Sequence, residues 1–318
     1  MNTPTLDARD KLPTETPPTT SALMADEAKL SGKPPKGYWH NVGNKLSHDW
    51  VALTTMTLLG LIVLAAIFAP WITPHDPYQA SMLDRLTPPA WTSRGKLEYL
   101  LGTDELGRDI LTRLIYGARV TLSMSISPVL VALLIGGTLG VIAGYAGGKV
   151  NMCIMRLTDV FYAFPSILLA VAISGAMGAG IVNGMLSLTL IFIPPLARIT
   201  ESVTTKIRNE DYVQAARATG AGTLTIIRVH VLGNVLGPVL IYASSLLSVS
   251  IVIASGLSFL GLGVSPPIAD WGLMLNALRE SIYVAPINAA LPGIIIFITC
   301  MSFNLLSDSL RSAMDVRL

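Results

Sequence analysis

The chain has 318 residues, of which 52% are hydrophobic and only 13% charged, with a mean hydropathy of +0.59. A soluble domain carries roughly a quarter charged residues, so a large water-soluble core is excluded and an all-α integral membrane protein is indicated. The formal net charge of +2 gives no electrostatic support for nucleic-acid binding.

Residues 1–40 are polar and carry Pro4, Pro13, Pro17, Pro18, Pro34 and Pro35. They have no hydrophobic pattern and no apolar signal-peptide core, so they read as a disordered tail. Residues 41–50, with Tyr38 and Trp39 just ahead of them, mix aromatic and basic side chains. That suits either a short interfacial helix or a plain linker. The rest of the chain, 51–318, reads as one membrane domain of six transmembrane helices. The first span is expected at 51–71, free of charge and bracketed by Trp50 and Trp71. A polar segment at 72–120 follows, ending in an amphipathic stretch from Asp109 to Arg119 that reads as a surface helix. The second span, 120–145, carries Gly136, Gly140 and Gly144, a small-residue stripe for close helix approach. The third and fourth spans are expected at 160–178 and 182–199, with Pro165, Pro194 and Pro195 in or near them. A polar loop fills 200–234. The fifth span is expected at 235–257, a second polar segment at 258–287, and the sixth span at 287–306.

Six spans place both termini on one side. If that side is cytoplasmic, 15 of the 22 Lys and Arg residues lie inside, the bias expected of a multi-pass membrane protein. The segments 72–120 and 258–287 are then external and the 200–234 loop is cytoplasmic. The stretches 120–148, 160–197, 235–269 and 281–307 contain no Asp, Glu, Lys, Arg or His. An ion-driven carrier needs such groups inside the membrane. No Gly-Lys pair is followed by Ser or Thr, so the chain has no phosphate-cradling loop of its own. Energy for transport would have to come from a partner. Cys153 and Cys300 read as small buried hydrophobes rather than a disulfide or metal pair. No metal site and no catalytic constellation is visible.

Within the loop, Asp211 to Ala221 is compatible with a short helix, with Ala215, Ala216 and Ala218 favouring it and Gly220 and Gly222 ending it. Thr225 to Leu232 reads as a second, separate helical piece. The loop is either a docking element or an inert connection. Other side chains bear two readings as well. Asp104, Arg108 and Asp109 either meet a solute or its receptor, or cap and brace their own segment. Phe259 and Trp271 either line a path or pack the outer face. His230 is either a pH-sensing group or a helix-face histidine. Arg156 and Asp159, three residues apart, are expected to pair with each other or with neighbours.

The stretch Gln214-Ala215-Ala216-x-x-x-Gly220 followed by His230-Val231-Leu232-Gly233-Asn234 resembles the EAA loop of binding-protein-dependent ABC importer permeases. Gly102-Thr103-Asp104-Glu105-Leu106-Gly107-Arg108-Asp109 resembles a hallmark of the dipeptide/oligopeptide/nickel branch. So do Tyr116-Gly117-Ala118-Arg119, Ser258 to Gly263 (with Phe259, Gly261 and Gly263), Trp271-Gly272 and the chain end from Leu310. The likeness is to the C-type member of the permease pair, whose relatives serve dipeptide, oligopeptide, nickel and glutathione systems. It implies the type I importer permease fold and half of a translocation path. It also implies a B-type second permease, two cytoplasmic ABC ATPases and an external substrate-binding protein. ATP and Mg would sit on the ATPases, and this chain would bind no cofactor. The implied coupling element comprises Glu210, Asp211, Tyr212, Gln214, Ala215, Ala216, Gly220, Ala221 and His230. The implied external loop or gate comprises Asp104, Gly107, Arg108, Asp109, Phe259, Gly261, Gly263 and Trp271. Two positions depart from the pattern: Gln214 stands for the leading Glu, and Gly233 stands where Pro follows Val-Leu. Glu210 and Asp211, one turn earlier, are put forward as replacement acids. The alternatives to an importer permease are a self-sufficient channel or secondary carrier, and a membrane scaffold without a path.

Overall fold

The structure, a computed structural model, describes residues 38–314. The tail expected through residue 40 lies outside the described residues up to residue 37, as does the chain end beyond Met314. Among the described residues there is no strand, only the isolated bridge between Thr103 and Asp109.

Helix α1 spans Tyr38–Leu46 and thus starts three residues inside the stretch assigned to the tail. The Asp49 carboxylate accepts from the Val51 N–H at 2.9 Å and starts α2, Trp50–Ile67. Pro70, which has no N–H to continue the ladder, separates α2 from a single turn at Ala69–Ile72. The Arg119 guanidinium satisfies the freed carbonyls of Ala66 and Ile67, the latter at 2.7 Å.

Helix α3 runs without a break over Ile110–Ala146, 37 residues. The amphipathic surface helix expected at 109–119 is therefore the first three turns of the second span. Its apolar face seats on the rest of the protein, with Ile110 fully buried. The third span does not form as one helix. Helix α4, Gly148–Tyr162, and helix α5, Ser166–Met177, meet at 85°. Pro165 lacks a donor and pushes Phe164 out of the helical region, so the ladder stops there. The second arm has 12 residues, about 18 Å of helix against a hydrocarbon core of about 30 Å, so it cannot cross alone. Helix α6 covers Ile181–Arg208 and runs nine residues past the expected fourth span. Helix α7 is Asp211–Ala218. The separate helical piece expected at 225–232 is instead the beginning of α8, Thr223–Phe259, joined through a π turn at Ile227–Val231. Helix α9 is Trp271–Leu278, and α10 is Pro286–Met314, extending helix into the expected tail.

Among the described residues five helices are long and apolar enough to cross a membrane, and the bent α4–α5 pair counts as a sixth if its two arms form one broken span. Large apolar side chains on the span surfaces, such as Leu61, Leu64, Leu134 and Leu168, are exposed as lipid contact requires. Buried Met124, Leu188, Leu196, Ile253 and Leu257 fill the centre between α3, α6 and α8. Without a hydrophobic drive inside lipid, close packing and polar contacts hold the spans. Ser307 bonds Ser245 at 2.6 Å, and Ser248 donates to Asn304 at 2.7 Å, tying α8 to α10. The glycine stripe packs α3 onto α6. A Cβ at Gly136, Gly140 or Gly144 would fall 2.5–2.7 Å from the carbonyl oxygens of Ile193, Ala197 and Glu201. Of the cysteines, Cys300 is buried as expected, but Cys153 is exposed on α4.

Candidate functional site

The resemblance pointed to residues at both ends of the bundle. At one end lies α7. Asp211 in its first turn and Arg217 in its last complement the helix dipole. Val213 is fully buried, and Ala216 and Ala221 pack with it against the core. Gly220 follows with φ +81°, a left-handed conformation suited to glycine, and a Cβ there would meet nothing within 4 Å.

Helix α7 is tied to three spans. The Gln214 amide donates to the Arg208 carbonyl at 3.1 Å, at the end of α6. A glutamate at 214 has no donor to offer that carbonyl, so the departure from the motif creates a bond of its own. Arg208 in turn donates to the Tyr145 carbonyl at 3.0 Å, closing the end of α3. The Arg217 guanidinium lies 5.2 Å over the Tyr145 ring. On the α8 side, the rings of Tyr212 and His230 are 6.0 Å apart, and Asn234 donates to the Tyr212 hydroxyl at 3.3 Å and to the His230 carbonyl at 2.7 Å. His230 is half-buried against an aromatic ring, the helix-face arrangement. The outer face of α7 carries Asp211, Gln214, Ala215 and Ala218, all exposed, with Glu210 beside them. Among the described residues neither Glu210 nor Asp211 makes a side-chain hydrogen bond or ion pair, and both are exposed.

At the other end, residues 73–109 fold back on themselves. Asp104 accepts the N–H groups of Leu106 and Arg108 at 2.9 Å each, and pairs with the Arg108 guanidinium at 2.7 Å. Arg113 approaches the same carboxylate at 3.4 Å and donates to the Pro77 carbonyl at 2.9 Å. Gly107, at φ +74°, lies so close to Ser81 that a Cβ would sit 1.7 Å from its carbonyl oxygen. Asp109 caps α3 through the Thr112 N–H at 3.0 Å. Asp104, Arg108 and Asp109 are buried, and their bonds brace their own segment. Burial raises the Glu105 carboxyl above its ordinary range, with the nearby Asp104 charge adding to the effect.

The short motifs have separate jobs here. Gly117 leaves room for the Trp271 ring, whose Cδ1 would lie 3.1 Å from a Cβ. Trp271 is fully buried and donates from Nε1 to the Leu114 carbonyl at 2.8 Å, so it packs and lines no path. Gly272 lets α9 touch the Ser255 carbonyl, 2.2 Å from a would-be Cβ. Gly261 turns the chain at φ +75° after α8, and Gly263 lies against Ser258. Half-buried Phe259 offers its carbonyl to Asn276.

Three side chains escaped the sequence reading. Asn288, buried in the first turn of α10, donates to the Thr87 and Thr103 carbonyls at 2.9 Å each, fastening the outer segment to the bundle. Asp270 caps α9 and accepts from Thr121 at 2.6 Å; a helix-start signal, Asp before Trp-Gly, was there to find it. The third is Arg198 of α6, the neighbour that is the close partner of Asp159, while Arg156 lies 3.9 Å from the same carboxylate. A partner 39 residues away leaves no spacing signal.

Burial raises the Asp270 carboxyl above its ordinary range, partly offset by the Thr121 hydrogen bond. The folded state thus favours the protonated acid. Its stabilising contribution is full below the unfolded value of about 3.9 and is lost as pH rises through the raised folded value. The unfolding temperature of the purified protein is therefore expected to gain on that of Asp270→Asn as pH falls from 7 to 4. Scanning fluorimetry across that range checks it.

Comparison with known proteins agrees with this architecture. Residues 136–318 match the family model described as the binding-protein-dependent transport system inner membrane component. Residues 37–89 match the N-terminal transmembrane domain of oligopeptide transport permease C. The di/tripeptide transport system permease protein DppC of Pseudomonas aeruginosa is 40% identical over 94% of this chain and 97% of its own length. The glutathione transport system permease protein GsiD of Pectobacterium atrosepticum is 36% identical over 93% of this chain and 97% of its own. A chain of the MetNI methionine ABC transporter, solved in inward-facing conformations, shares the fold. It gives a TM-score of 0.55 at 19% identity and covers 64% of this chain and 97% of that one. The chain belongs to the inner-membrane permeases of binding-protein-dependent ABC importers, in the branch with the C-type oligopeptide permeases.

Proposed function

We propose that this chain is half of the translocation path of an importer for di- or oligopeptides or a peptide-like solute such as glutathione, and that α7 is its coupling helix. The observation that carries the coupling role is the fastening of α7 to α3, α6 and α8 while its small side chains face outward. A rigid helix with a flat outer face can transmit a push from a soluble partner to the spans. Coupling of this kind needs different contacts in the two states of the motor. The peptide-like cargo rests on the functions of the two relatives, di/tripeptide and glutathione transport.

In this reading a second, B-type permease completes the path, and two ABC ATPases bind ATP and Mg and supply the energy. An external receptor delivers the cargo. The chain itself is not an enzyme and holds no cofactor. It lies in a bacterial inner membrane with both termini and α7 in the cytoplasm, as the Lys and Arg bias supports. Tagged protein purified from its native membranes is expected to carry a stoichiometric second permease and two ATPases. Recovery of a stable chain with none of them would overturn the reading.

Gly220 offers a finer test. Because space around it is open, a side chain there meets only the left-handed backbone penalty of about 1–2 kcal/mol. Gly220→Asn, which tolerates that conformation, is expected to support normal peptide uptake. Gly220→Val is expected to lose uptake while inserting into the membrane at normal levels. Radiolabelled dipeptide uptake by whole cells reads both.

A further inference from the structure

Helix α6 carries Arg198 ten residues before its end at Arg208, about 15 Å along the helix axis. Its side chain is 52% exposed. Arg198 stands at the end of the expected fourth span, 182–199, where a half-exposed arginine faces water or the polar interface. Arg198 pairs with Asp159 of α4, which is 40% exposed, and its guanidinium lies 4.8 Å over the Tyr162 ring.

Tyr162 is also a wall of a cavity of about 200 Å³ at the elbow where α4 and α5 break. Phe161, Phe164, Phe192, Tyr242 and Leu246 complete the aromatic and apolar part of its lining. Broken spans build binding sites because their interrupted backbone is tolerated where it borders a cavity. The elbow thus places an apolar, aromatic chamber beside one arginine whose present partner is a half-exposed carboxylate.

We propose that this chamber is a waypoint for the cargo at the inner end of the path: Arg198 receives a free carboxylate in place of Asp159, and the aromatic walls receive an apolar side chain. The ligand class is a short peptide with an unblocked C-terminus. Asp159 is the internal stand-in that holds Arg198 in position when the chamber is empty. A planar guanidinium suits this exchange, because it binds carboxylates through two parallel bonds and stacks on a ring at the same time. The inference deepens the proposed function and rests on it for the cargo.

The test uses the complete transporter purified from membranes, with Cys153→Ser to remove the exposed thiol and Phe164→Cys as a reporter in the chamber wall. Alanyl-phenylalanine is expected to slow alkylation of Cys at 164, roughly fivefold at about four times its dissociation constant. Its C-terminal amide is expected to have little effect. Adding Arg198→Gln should abolish protection. Adding Asp159→Asn, which leaves Arg198 without its stand-in, should shift protection to lower dipeptide concentration, which keeps the idea testable if Arg198→Gln does not assemble. Equal protection by the dipeptide and its amide, or none by either, would overturn the proposal. A lipid phosphate seated on Arg198 would give the second of those results. A transporter that purifies with its ATPases but shows no protection sinks the waypoint alone, whereas a chain without ATPases sinks the coupling role.

Discussion

Gly140→Ala is expected to destabilise the protein, while Gly137→Ala, three residues earlier on the same helix, leaves it unchanged or better. The added methyl at 140 would sit 2.5 Å from the Ala197 carbonyl oxygen and 2.5 Å from Thr200 Cβ. Backbone atoms cannot swing aside as a side chain tip can, so α3 and α6 must part along the whole stripe. Overpacking of this kind costs about 1–3 kcal/mol, and contacts at Gly136 and Gly144 would loosen with it. At Gly137 a methyl meets nothing within 4 Å. There the alanine only removes the helix penalty of glycine, about 0.8–1 kcal/mol in water. The two substitutions are chemically identical and differ only in the face they occupy. Thermal unfolding of the detergent-purified variants measures the difference. Equal unfolding temperatures would show that the α3–α6 contact is not a close one.

Ala215→Trp is expected to abolish peptide uptake while leaving the chain folded and inserted. Ala215 is on the exposed face of α7 and makes no core contact, so the fold has no reason to change. If that face seats in a groove of an ATPase, an indole there blocks the seat, and loss of a central interface contact lowers uptake by more than about 100-fold. Val213→Asp, two residues earlier, is expected to fail differently. Val213 is fully buried, so the carboxylate would enter the core without a partner, and the protein would lose thermal stability as well as uptake. Uptake, membrane abundance and co-purified ATPase, measured together, separate the two. Normal uptake by Ala215→Trp would move the docking face elsewhere.

The membrane class, the two polar ends and the short helix of the loop were legible in the sequence because each has a local cause. Charge-free apolar stretches read as spans, alanines as helix, and Gly220 as its end. The broken span was not legible. Pro128, Pro194, Pro195, Pro238 and Pro292 all lie inside continuous helices, whereas Pro165 marks a bend of 85°. The residue is the same, and the outcome depends on whether neighbouring helices hold the two arms in line. Gly178 and Gly180, at φ +84° and +158°, end the second arm early, so it has too little length to resist the bend. The merging of the amphipathic stretch with α3 was hidden for a related reason. Its polar residues, Arg113 among them, find partners in the 73–109 segment, and those partners are far away in sequence. The bond from Gln214 to the Arg208 carbonyl was not legible, because a motif records which residue is usual and not which carbonyl needs a donor.

Helix α3 is fastened at both ends. Asp109 and Trp271 hold its beginning, and Arg208 closes its last turn beside α7. Near its middle, Pro128 removes one rung of the ladder. A beam clamped at both ends and notched at its centre flexes at the notch. Any thrust delivered at the α7 end would then reach the opposite rim, about 55 Å away, as a change of angle at that point rather than as diffuse softening. Its displacement would be set by the length of the arm beyond the notch.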